Sequence, residues 1–115
     1  MIKELDVANW KSAFGEENIT INPEPVINAK GISLEGITRE NIKRIIAMKD
    51  GENDEASWTG IFELKDGRFI SVCSWCDYTG WDCQAGGEIF VAHDEISIKR
   101  FGLSEKERER LGVNI

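Results

Sequence analysis

Between Trp75 and Gly87 the chain reads Trp-Cys-Asp-Tyr-Thr-Gly-Trp-Asp-Cys-Gln-Ala-Gly-Gly, which gathers two thiols, two carboxylates, three aromatic rings and a side-chain amide. Its centre is nearly a palindrome about Thr79 and Gly80, with Cys76 mirroring Cys83, Asp77 mirroring Asp82 and Tyr78 mirroring Trp81. Such a set admits several chemistries. Trp75, Asp77, Tyr78, Trp81, Asp82 and Gln84 could form an interaction tip, with Trp81 or Tyr78 as the buried anchor while the acids meet basic groups. A purely structural use is equally consistent with the residue types: Trp75, Tyr78 and Trp81 pack, and the aspartates accept hydrogen bonds from nearby turn amides.

The thiols open a second line. Cys73, Cys76, Cys83 and His93 make a Cys-x2-Cys, Cys, His set of the kind that closes a structural zinc site. On a continuous strand, however, Cys73 and Cys76 would point to opposite faces, so a zinc knuckle would have to turn within Ser74 and Trp75. A redox role would place the Cys-x-x-Cys at a helix start that lowers a thiol pKa, whereas here it falls in strand-like sequence. Catalysis has less to work with. His93 is the only histidine, Cys76 or Cys83 with His93 would be a nucleophile and base lacking a local oxyanion hole, and Asp77 with Asp82 could at most share a proton. Gly86 and Gly87 lack the lysine and spacing of a phosphate loop.

The elements that must position this stretch form an α+β pattern. The runs 58–64 and 68–75 are separated by Lys65-Asp66-Gly67, a strong hairpin signal, and the glycine pair permits a sharp return into a third strand at 88–92. An antiparallel meander of three to four strands follows. If Thr79 and Gly80 form a two-residue turn, the mirrored residues become cross-strand partners and Asp77 faces Asp82. A type I turn with Gly80 left-handed shifts that register by one, and both remain open. Helices are expected around this sheet. An N-terminal one is capped by Asp6, carries Val7, Trp10, Ala13 and Phe14 on one face and stops at Gly15. A middle one is capped by Thr38, has Ile42, Ile45 and Ile46 at helical spacing and ends at Lys49 and Asp50. Two short C-terminal ones follow, at 94–101 closed by Gly102, and from a Ser104/Glu107 capping box to Leu111. Residues 19–36, broken by Pro23, Pro25, Gly31 and Gly36, read as an edge strand or irregular crossing. The acidic stretch 50–55 lacks calcium-loop spacing and reads as a solvated loop.

Composition narrows the function classes. A chain of 115 residues, 41% hydrophobic and 30% charged, has the size of one domain and can bury a core. Its 21 acids against 14 bases leave a net charge of -7, shared by both halves, so direct nucleic-acid binding is disfavoured and a protein partner with a basic surface is favoured. The absence of a long apolar run and the three crowded cysteines predict no membrane association and a cytoplasmic, reducing compartment.

The string Cys-Asp-Tyr-Thr-Gly-Trp-Asp-Cys-Gln before a glycine pair, with Leu64-Lys65-Asp66-Gly67-Arg68 ahead of it and Phe101-Gly102-Leu103 and Glu107-Arg108-Glu109-Arg110-Leu111 behind, resembles a family of small bacterial and phage proteins of no established activity. The likeness covers 58–112. It implies a common domain and a special role for Cys76, Asp77, Tyr78, Trp81, Asp82, Cys83 and Gln84. Cys73 and His93 fall outside the motif, which counts against a four-ligand zinc site. The expectation is therefore a non-enzymatic acidic interaction protein that binds through 75–87, of the kind used by phages or mobile elements to inhibit a host protein, or an immunity protein. The alternative is a zinc or small-ligand binding domain using Cys76, Cys83 and neighbouring Asp or His side chains.

Overall fold

The computed structural model describes residues 2–14, 31–52, 56–77 and 84–114. Four strands, β1 (Ile42–Lys49), β2 (Trp58–Leu64), β3 (Phe69–Asp77) and β4 (Gln84–Ala92), form one antiparallel sheet in sequence order. A 3-10 turn at Lys3–Leu5 and helix α1 (Ala8–Ala13) precede it; helices α2 (Glu95–Phe101) and α3 (Glu105–Leu111) follow. The α+β class and the antiparallel meander predicted from sequence are thus present, with four strands.

The hairpin between β2 and β3 forms where Asp-Gly predicts it. Gly67 takes φ +92°, Gly67 N–H donates to Leu64 O at 3.1 Å, and Leu64 N–H donates to Arg68 O at 2.8 Å. Pairing then runs from Glu63↔Phe69 to Trp58↔Ser74 with no register shift. Strict alternation assigns side chains to two faces. Trp58, Phe62, Leu64, Ile70, Val72, Ile89 and Val91 join Leu5, Trp10, Ala13 and Phe14 in one cluster; Ile61 and Ala92 join Ile98 and Leu103 in the other. The sheet is therefore covered by the N-terminal segment on one side and by α2 and α3 on the other. This is why β2, buried at every residue but Glu63, shows no hydrophobic alternation. Phe62 meets Trp10 edge-on at 5.8 Å and Phe14 at 5.3 Å, and Trp10 Nε1–H donates to Asp50 Oδ1 at 2.7 Å.

The predicted middle helix is not formed. Thr38 precedes a single 3-10 turn at Arg39–Asn41 and makes no side-chain cap, and Ile42, Ile45 and Ile46 belong to β1. The helix-like spacing arises from two register shifts, between Ile42 and Arg44 and between Ile45 and Ala47. Each bulge adds a residue, so Ile42, Ile45 and Met48 return to the α1 side at intervals of three while Ile46 packs on the other. β-branched isoleucines suit the pleated backbone, and pairing with β2 decides between the two readings.

The C-terminal helices follow their caps. Asp94 accepts from Ser97 N–H at 2.7 Å, Ser104 and Glu107 complete a capping box, and Gly112 ends α3 at φ +70°. Ser71 Oγ–H donates to Gly102 O at 2.7 Å, and Arg110 donates to Ser57 O at 2.6 Å and Asp50 O at 2.9 Å, tying both helices to the sheet. The predicted stop at Gly15, most of the expected crossing over 19–36 and part of the acidic stretch 50–55 lie outside the described residues; 31–36 carries no regular element.

Candidate functional site

β3 and β4 pair without a break from Phe69↔Ala92 to Asp77↔Gln84, leaving residues 78–83 to connect them. Both strands are longer than the sequence predicts, and the glycine pair lies inside β4 rather than at a turn. The mirrored register is not the one formed. Cys76 stands opposite Ala85 instead of Cys83, and Asp77 opposite Gln84 instead of Asp82, an offset of two that also rules out the one-residue shift. Two physical reasons favour it. It removes the direct juxtaposition of two aspartates, and it sets Trp75 across from Gly86 and Ser74 across from Gly87. A Cβ on Gly86 would lie 2.7 Å from Trp75 Cζ2 and 3.1 Å from Nε1, so the indole uses the space a side chain would fill. At Gly87, φ +155°, a Cβ would lie 2.5 Å from Cys73 O and Ser74 Cα, so there the backbones themselves are too close for one.

Of the predicted binding residues, Trp75 is described in full. It follows Ser71 and Cys73 on the sheet face that meets Gly102 at the end of α2, and remains 45% exposed while resting on Gly86. Asp77 and Gln84 are the last facing pair of the hairpin ladder, whereas Tyr78, Trp81 and Asp82 lie outside the described residues. Next along the same face come Cys73 and, opposite it, the exposed Glu88. Sequence reading missed Gly86 and Glu88 as parts of this surface. An aromatic followed across a hairpin by Gly-Gly is a usable signal for such a pair, but counting from a turn at Thr79 and Gly80 puts Gln84 opposite Trp75.

Of the thiol and histidine candidates, the described side chains of Cys73 and His93 are not brought together. Cys73 is half-buried, and burial together with the Glu107 carboxylate beside it pushes its thiol up to about 11, the reverse of activation. Cys76 is three residues further along an unbroken β3, a position belonging to the opposite face; Cys83 lies outside the described residues. His93 is exposed just past the end of β4, five residues beyond the partner of Cys73, or ~17 Å at the rise of a strand. It sits at the opposite end of the β3–β4 ladder from the Asp77↔Gln84 pair, too far along the strand to share a metal ion with Cys73. Among the described residues no three His, Cys, Asp or Glu side chains are grouped to hold a metal ion. An open depression of about 320 Å³ at the end of α3 is lined by Glu105, Arg108, Glu109, Gly112, Val113 and Asn114, and none of the hairpin residues contributes to it.

Among the described residues no helix is long and apolar enough to cross a membrane. Comparison with protein-family models, curated proteins and solved structures finds no match to this chain, so the functional reading rests on the hairpin itself.

Proposed function

We propose that the chain is a non-enzymatic interaction domain that engages a basic protein surface through the outer end of the β3–β4 hairpin, residues 75–87, with Trp75 as its anchor. The observation that carries this reading is the seating of Trp75. A large ring is 45% exposed and lies over Gly86, so close that a Cβ there would come within 2.7 Å of it. Tryptophan offers a large apolar area with only two side-chain torsions to fix on binding, which is what makes it effective as an interface anchor. The net charge of -7 and the neighbouring Glu88 supply attraction toward a cationic partner and oppose contact with a phosphate backbone. Inhibition of a host protein in the cytoplasm by a phage or mobile-element product, or neutralisation of a toxin by an immunity protein, is the biology that fits such a domain.

The test is capture from host lysate on immobilised wild type, on Trp75→Ala and on Asp77→Asn with Asp82→Asn. A protein retained by wild type and reduced at least about tenfold by both variants, with thermal melting little changed, supports the reading. Retention that is indifferent to Trp75→Ala overturns it.

A further inference from the structure

The two edges of the sheet are built differently. β1 is interrupted by two register shifts and carries exposed Lys43, Arg44 and Lys49, all devices that discourage another strand from pairing there. β4 has an unbroken register over Gln84–Ala92, contains no proline and bears one charged residue, Glu88. Among the described residues no strand pairs with its outer side.

We infer that this outer edge, from Gly86 to Ala92, receives an extended segment of the basic partner by antiparallel strand addition, an inference that rests on the interaction reading above and specifies its mode. Charge selects the occupant. Glu88 is the middle residue of β4, so antiparallel self-pairing centred on the strand would set it against its own copy, in chains of net charge -7. A foreign strand with lysine or arginine opposite Glu88 converts that repulsion into a cross-strand ion pair. On the same face the indole of Trp75 reaches over Gly86 from β3, and strands are only ~4.8 Å apart, so a side chain opposite Gly86 comes against the ring. A second cation there gains a cation–π contact. The residue opposite half-buried Phe90 is apolar on this scheme. The segment recognised is thus basic at two alternate positions and apolar at the next, held mainly by main-chain hydrogen bonds.

Amide hydrogen exchange on the full chain tests this with two synthetic peptides, one alternating lysine with valine and one with glutamate in place of lysine. The expected result is slowing of alternate amides in β4 by about tenfold or more with the basic peptide only, lost in Glu88→Lys, whose exposed side chain leaves the fold undisturbed. No slowing at up to about 1 mM peptide overturns strand addition. Protection of the same amides without peptide also overturns it, assigning the edge to a second copy where the protein sediments as a dimer and to this chain's own residues where it sediments as a monomer. Unchanged β4 amides combined with capture that still depends on Trp75 would reject the edge while keeping the interaction reading; capture independent of Trp75 removes the reading itself.

Discussion

Trp75 and the two glycines facing its strand give the hairpin end its shape by different means. At Gly86 the obstacle to a side chain is an indole that can swing away, whereas at Gly87 it is backbone, with an unfavourable φ besides. Gly87→Ala is therefore expected to destabilise by roughly 2–3 kcal/mol in chemical denaturation. Gly86→Ala should cost under about 1 kcal/mol while altering the near-ultraviolet circular dichroism of the displaced ring. Equal losses at both positions would contradict the described packing. A second prediction concerns Asp66, whose carboxylate accepts from the Arg68 guanidinium at 2.7 Å and is held from an ordinary 3.8 down to about 2. A lowered folded pKa means the stabilisation is present above the ordinary value and disappears as pH falls from 3.8 through about 2. Solvent screening limits it to roughly 1 kcal/mol or less, and Asp66→Asn should flatten that part of the stability profile. At this scale the sequence exposes the residue types of the site but not their partners. Trp75 is recognisable as one aromatic of the stretch, while the sequence points to Trp81 or Tyr78 as the anchor; Gly86 is not recognisable, because its place under the indole depends on a register that only the packed hairpin defines.

Caps and turns are local, and the elements they govern are the ones legible in the chain. Lys65-Asp66-Gly67 and the Ser104/Glu107 box act where their residue types predict, and Gly102 closes α2 with a right-handed rather than left-handed backbone, whereas Thr38, carrying the same kind of cap signal, caps no α-helix. Ser104→Ala should lower stability by about 1 kcal/mol, read from a denaturant midpoint, because Glu107 N–H loses its acceptor at the start of α3. β1 is the opposite case. Its isoleucines carry a spacing that a helix and a twice-bulged strand share, and the choice is made by β2, a neighbour from another part of the sequence. The same non-local cause lengthens β4 back through the glycine pair, since Gly86 and Gly87 are tolerated in a strand when β3 supplies an indole above one and a close backbone beside the other.

At the scale of the molecule, one sheet is covered on both faces while Trp75, near the end of the described β3–β4 ladder, stays exposed. Phe62 is the inner contact of the N-terminal cover, fully buried between Trp10 and Phe14, and Phe62→Ala is expected to cost about 3–5 kcal/mol. The charge of -7 belongs to the whole surface, so raising salt from about 50 to 500 mM should slow association with a basic partner by roughly tenfold or more and change dissociation much less. Four described apolar side chains stand exposed, Val7, Trp75, Ile96 and Phe101, and they make the central claim directly decidable. The measurement is oxidative footprinting of the chain with and without its captured partner. Protection of Trp75 with Ile96 and Phe101 unchanged is the result expected of a hairpin-end interface. Protection of Ile96 or Phe101 on α2, with Trp75 as reactive as in the free protein, would contradict it.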